Sequence, residues 1–148
     1  INEEEKIVLE PGRSISGNAG ILLTKVEYIK DNFLIADAAM NDLLRPALYK
    51  AKHDVWNLTQ SEAIDQVWTI VGPVCESADV IAKDHPINAD VGDILAIKTA
   101  GAYGFVMSSN YNSRVRPAEV LVDGETFNII RSRESFDDLI KNEISLND

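Results

Sequence analysis

The chain has 148 residues, 45% hydrophobic and 26% charged, a size and balance that suit one soluble domain with a real core. Its net charge of -10 argues against a nucleic-acid partner, because phosphate binding needs clustered Lys and Arg. No apolar run reaches the roughly 18 residues of a membrane span, and the single cysteine, Cys75, excludes an internal disulfide and fits a reducing, cytoplasmic setting.

Ile7-Val8-Leu9 is a short apolar run that stops at Pro11-Gly12, as a buried strand ending in a turn would. Arg13 to Gly20, rich in small residues, reads as a short helix or loop. From Ile21 to Ile29 apolar and polar residues roughly alternate, which predicts a strand. Phe33 to Ala36 predicts its antiparallel neighbour across the turn pair Asp31-Asn32. Asn41 to Ala51 is a short helical or irregular stretch interrupted by Pro46. Ile64 to Val71 is strand-like again. Gly72 to Asp90, with its prolines, predicts a long loop of the kind that is often functional. Asp93 to Thr99 predicts a strand, and the Gly-, Ser- and Asn-rich Gly101 to Tyr111 a turn or short helix. Ala118 to Val122 and Thr126 to Ile130 flank Asp123-Gly124-Glu125, the strongest hairpin signal in the chain. Ser135 to Ile144 closes with an amphipathic helix, its Phe136, Leu139, Ile140 and Ile144 at helical spacing. Five to seven strands and a terminal helix follow, with no βαβ rhythm after residue 20. The expected fold is mostly β: an antiparallel sheet, closed as a barrel or sandwiched, with short helices.

Four short segments carry side chains suited to chemistry. In Glu10-Pro11-Gly12-Arg13 an arginine can present its guanidinium fork to a carboxylate or phosphate, and Gly12 lets backbone approach a ligand. A plain turn with a surface arginine is the alternative. In Arg45-Pro46-Ala47-Leu48-Tyr49 the arginine and tyrosine, four apart, can share a face and clamp a carboxylate, or can simply pack. Gly72-Pro73-Val74-Cys75-Glu76-Ser77 sets a thiol beside a carboxylate, an acid group and a cation-binding group, although a lone cysteine is more often inert. In Gly101-Ala102-Tyr103-Gly104 a tyrosine between glycines can offer its hydroxyl to a phosphate. His53 and His85 have no Cys or His nearby to complete a zinc site, and no metal site is expected.

Taken in this order, the four segments resemble the C-terminal signature of the fold-type III pyridoxal-phosphate decarboxylases. The resemblance runs from about Ile7 to Gly124. It extends through Asp42-Leu43-Leu44 before Arg45-Pro46, and through Ser108-Ser109-Asn110-Tyr111-Asn112 before Arg116-Pro117-Ala118-Glu119. The Cys-Glu-Ser and Arg-Pro-x-Leu-Tyr forms are similar to those of the branch acting on meso-2,6-diaminopimelate. Members acting on ornithine place Asp where Glu76 stands. Ala39, Ala78 and Val115 depart from the usual pattern without touching a proposed contact group.

The resemblance implies a homodimeric lyase of amino-acid biosynthesis that releases carbon dioxide from diaminopimelate to give L-lysine. It implies a division at residue 20. Residues 1–20 would be the last strand and helix of an otherwise absent (β/α)8 barrel, and residues 21–148 a C-terminal β-domain. The cofactor is pyridoxal 5'-phosphate, and the lysine that holds it is not in this chain, so the chain alone is expected to be inactive. Gly12 and Tyr103 would face the cofactor phosphate. Arg13, Arg45 and Tyr49 would hold the substrate's distal carboxylate and Glu76 its distal ammonium. Cys75 would reprotonate the reacting carbon, from a loop that reaches into the neighbouring subunit's site. The competing expectations are a decarboxylase acting on ornithine, arginine or carboxynorspermidine, and a non-catalytic dimerising β-domain.

Overall fold

The computed structural model describes residues 6–59 and 66–146. Among the described residues, eight strands form two sheets. The first, of six strands, is ordered β3-β6-β1-β2-β4-β5. Its members are β1 (Leu22–Lys30), β2 (Phe33–Ala36), β3 (Val55–Asn57), β4 (Val67–Val71), β5 (Val80–Pro86) and β6 (Ile94–Ile97). All pairings are antiparallel except β2 with β4. The expected hairpin of β1 and β2 turns at Asp31-Asn32, and a bulge between Val26 and Tyr28 bends β1.

The bend lets the sheet curl. Its two edge strands meet where His85 of β5 donates from Nε2 to the carbonyl of Val55 in β3 at 2.9 Å. The result is a near-closed, barrel-like sheet. Inside it Val26, Leu34, Leu43, Val55, Ile70, Ile81, Leu95 and Ile97 form one cluster, each at most 3% exposed. Burying an aliphatic side chain of this kind contributes about 1.5–3 kcal/mol.

The second sheet is the hairpin β7 (Glu119–Asp123) and β8 (Thr126–Arg131), closed by Gly124 in the left-handed region at φ 58°. Both its faces are open, with Val120, Leu121, Val122, Phe127, Ile129 and Ile130 all exposed. Three short helices are α1 (Arg13–Ser16), α2 (Arg45–Tyr49) and α3 (Phe136–Ile140). A capping box on Ser135 and Asp138 starts α3, which ends earlier than the apolar spacing to Ile144 predicts. Pro46 sits in the first turn of α2 rather than interrupting it, since a proline there forfeits no helical bond.

Three expectations need correction. Ile7-Val8-Leu9 is not a strand; it lies irregular and exposed, because no strand among the described residues runs beside it. Gly72 to Asp90 is not one long loop, because β5 occupies its middle. β3 adds an eighth strand that the pattern does not announce. The stretch read from Ile64 begins, as described, at β4; Ile64 itself lies outside the described residues.

Candidate active site

The irregular segment Ala100 to Gly104 folds back on α1. Ala100 N–H donates to the Gly20 carbonyl at 2.9 Å, and Gly101 N–H to the Gly17 carbonyl at 3.1 Å. The two backbones are so close that any Cβ on Gly101 would collide with the Ser16 carbonyl and the Gly20 backbone. This docking carries Tyr103 to Gly12: a Cβ placed on Gly12 would lie 3.0 Å from the tyrosine hydroxyl. Arg45 joins from α2. Its guanidinium carbon lies 5.8 Å from the centre of the Tyr103 ring and 5.4 Å from that of Tyr49, both within cation–π range.

Four predicted site residues, Gly12, Arg45, Tyr49 and Tyr103, are thus linked in one cluster, and Arg13 follows Gly12 in the chain. The backbone there is strained: Thr99 and Tyr103 sit at φ 62° and 58°, and a β-branched residue in that region is rare. The Nε atoms of both Arg13 and Arg45 are buried with no hydrogen-bond partner among the described residues. A buried N–H of a charged group without an acceptor is costly. Two such donors beside a tyrosine hydroxyl and a bare glycine make a site complementary to an anionic oxygen group. A phosphate or a carboxylate satisfies it equally well. These orphaned donors, with the Tyr103 hydroxyl packed against Gly12, suit such a phosphate or carboxylate.

His53 belongs to the same cluster, although nothing near it in the sequence marks it as functional. It is 5% exposed, and its Nδ1 lies 2.8 Å from the Lys98 carbonyl. Burial pushes its pKa below the ordinary histidine value. The charges of Arg13 and Arg45 push it further down, against the raising effect of the Lys98 carbonyl.

Cys75 and Glu76 lie elsewhere. Both are exposed, and among the described residues no hydrogen bond or ion pair joins either to the arginine cluster. Their loop is held by Asp79, which is 2% exposed. Its carboxylate accepts from Val74 N–H at 2.8 Å and from Met40 N–H at 2.7 Å. Gly72 is required beside it, because a Cβ there would collide with that carboxylate. Burial raises the Asp79 pKa, and the Met40 and Val74 amides oppose the rise.

Tyr111 reaches the same loop, its hydroxyl donating to Glu76 Oε2 at 3.1 Å; that bond, and then the Glu76 charge, raise the tyrosine's pKa. The segment carrying Tyr111 is tied to the barrel by Arg114, which donates to Asn41 Oδ1 at 2.8 Å and to the Asp37 carbonyl at 2.6 Å. Ser109 N–H adds a bond to the Asn41 carbonyl at 2.9 Å. Residues 39–42 therefore brace both Asp79 and the Tyr111 segment. Asp79 and the bond from Tyr111 to Glu76 are features that sequence reasoning missed: Asp79 lay just beyond a segment already singled out, and Tyr111 stood in a flanking segment of the resemblance with no role assigned.

Comparison with known proteins locates this architecture. The family described as pyridoxal-dependent decarboxylase, C-terminal sheet domain, matches residues 14–101. The chain belongs to that family. It is 54% identical over 141 residues to a diaminopimelate decarboxylase of Pseudomonas aeruginosa, covering 93% of this chain and 34% of that protein. Two solved structures are similar in fold. Diaminopimelate decarboxylase from M. jannaschii, in co-complex with L-lysine, superposes with a TM-score of 0.88 at 43% identity, over 93% of this chain and 33% of that one. The Helicobacter pylori enzyme complexed with L-lysine gives 0.83 at 46%, over 89% and 34%. The chain spans about a third of the length of the relatives it matches. Among the described residues, no helix is long and apolar enough to cross a membrane.

Proposed function

We propose that this chain is the C-terminal part of a cytoplasmic, pyridoxal-phosphate-dependent decarboxylase that converts meso-2,6-diaminopimelate to L-lysine and carbon dioxide. The observation that carries the proposal is the pair of buried, unpartnered arginine Nε atoms beside Gly12 and Tyr103. The likeness to diaminopimelate decarboxylases supports it. Residues 1–20 then continue a cofactor-binding barrel, and 21–148 form the β-domain. The lysine that holds the cofactor lies outside this chain.

Pyridoxal phosphate, when bound, supplies a sink for the electron pair left on Cα as carbon dioxide departs. The rest of the work falls to side chains. The Gly12 backbone and the Tyr103 hydroxyl hold the phosphate. Arg13, Arg45 and Tyr49 bind the substrate's distal carboxylate. Glu76 takes the distal ammonium, so the zwitterionic far end meets both signs of charge. A substrate lacking that carboxylate leaves two guanidiniums unpaired, which is the basis for refusing ornithine. Cys75 delivers its Sγ proton to Cα and is recharged from solvent.

Cys75 and Glu76 make no hydrogen bond or ion pair with the arginine cluster among the described residues, which supports a homodimer whose sites combine the cluster of one subunit with the loop of its partner. The test is carbon dioxide release by the full-length protein, loaded with pyridoxal phosphate, from meso-diaminopimelate and from L-ornithine. Release from diaminopimelate alone is expected. Release from ornithine alone would keep the cofactor and overturn the distal clamp; release from neither would overturn the activity.

A further inference from the structure

We propose that His53 is a positioning residue, an acceptor that fixes the plane of one of the two cluster guanidiniums, that of Arg13 or Arg45, before a substrate carboxylate. This rests on the reading above that the cluster binds a carboxylate.

The argument begins with the tautomer. A carbonyl oxygen only accepts, so the 2.8 Å contact with Lys98 requires the proton on Nδ1. In a neutral ring Nε2 then carries a lone pair and must accept. That atom is buried and has no partner among the described residues. The other two unpartnered nitrogens of the cluster, Nε of Arg13 and Nε of Arg45, are both donors. One acceptor and two donors thus lie buried and unused among the described residues. An anchor for the β6 end would need only the Lys98 bond; it gives no reason for a second ring nitrogen buried without a partner.

The elements converge on one turn. A Cβ on Gly17 would meet Arg13 Cγ at 3.1 Å and the Thr99 methyl at 3.5 Å, so Arg13 packs where β6 ends, next to the carbonyl that holds His53. Thr99 is held there at φ 62°. The charged groups that face the ring are Arg13 from α1 and Arg45 from α2, and both oppose a third positive charge. The ring therefore stays neutral and keeps its lone pair. A rotation of either arginine, or one bridging water, completes an N–H···Nε2 bond. With one N–H so engaged, the guanidinium plane is fixed and its remaining fork is free for a carboxylate.

The test uses the full-length enzyme with pyridoxal phosphate and three variants. His53→Asn keeps a donor for the Lys98 carbonyl but has nothing at the Nε2 position. His53→Gln places an amide oxygen near that position. His53→Phe keeps the ring and loses both bonds. Steady-state kinetics with diaminopimelate are read beside calorimetric binding of pimelate, a dicarboxylate without amines, and beside thermal midpoints. For His53→Asn the expectation is a KM raised about tenfold, kcat held within about threefold and pimelate weakened about tenfold, with the midpoint near that of the parent. His53→Gln recovers most of both losses, and His53→Phe recovers neither. An active parent with unchanged KM and pimelate affinity in His53→Asn would overturn the role of His53 alone. Equal losses in Asn and Gln, tracking a lowered midpoint, would reduce it to packing. A parent inactive on diaminopimelate would overturn the functional reading and this inference with it.

Discussion

The arginine cluster and the Cys75–Glu76 loop are built on opposite plans. The cluster is drawn together from three separated segments and leaves buried donors unpaired. The loop is local and Cys75 and Glu76 on it are exposed, yet one buried carboxylate, that of Asp79, ties it at Val74 and binds it to Met40. A site with unspent donors awaits a ligand; a rigid loop with an outward thiol and carboxylate awaits something to reach into. Among the described residues no hydrogen bond or ion pair joins the two halves, and in the proposed function they complement each other across a dimer.

The largest expected effects come from breaking either half in the full-length enzyme. Arg45→Ala should raise KM for diaminopimelate by about 100-fold or more, because one fork of the carboxylate clamp is lost. Cys75→Ala should lower kcat by about 100-fold while binding changes little, the mark of a group acting in the proton transfer. Steady-state kinetics separate the two, and an unchanged kcat in Cys75→Ala would remove the thiol from the chemistry. A smaller effect, on stability, is expected from Asp79→Ala. The amides of Met40 and Val74 lose their acceptor, which costs about 1–3 kcal/mol in chemical denaturation, with kcat falling as the loop loosens. An unaltered midpoint would show that Asp79 is not the brace.

The smallest effect is a pH dependence. The pKa of His53 is lowered in the folded state, so below its ordinary value of about 6.5 the unfolded chain binds a proton that the folded chain refuses. Stability conferred by keeping His53 neutral is therefore full above that value and is lost as the pH falls through it. Thermal midpoints between about pH 7.5 and 5.5 should decline less in His53→Gln than in the parent. Equal declines would place the titrating group elsewhere.

Much of the sheet was legible in the sequence because its central strands carry alternating or continuous apolar residues and its turns carry turn chemistry. Asp31-Asn32 and Asp123-Gly124 each marked a hairpin that forms. The two strands that escaped notice, β3 and β5, are the two edges of the six-stranded sheet. Edge strands bury fewer side chains and tolerate charge and proline, and Lys83-Asp84-His85-Pro86 in β5 reads as loop for that reason. Ile7-Val8-Leu9 erred the other way, since an apolar run becomes a strand only beside a partner. The candidate site residues stand in four separate segments, and only the family resemblance, not the local pattern, grouped Gly12 with Tyr103 and Arg13 with Arg45 and Tyr49. Nothing local says that Tyr103 meets Gly12, that Glu76 pairs with Tyr111 rather than with the arginines, or that His53 turns inward. Those facts belong to the way the chain closes on itself.

The central claim is that one subunit's arginine cluster works with its partner's loop. The direct measurement mixes two impaired full-length variants, Arg45→Ala and Cys75→Ala, in equal amounts under conditions that exchange subunits, and reads activity at a substrate concentration below the KM of the parent, where both are nearly silent. In a shared-site dimer each heterodimer regains one intact site, and activity should return to about a quarter of the parent level. If no activity returns although heterodimers form, each site is made within a single subunit and the account is wrong.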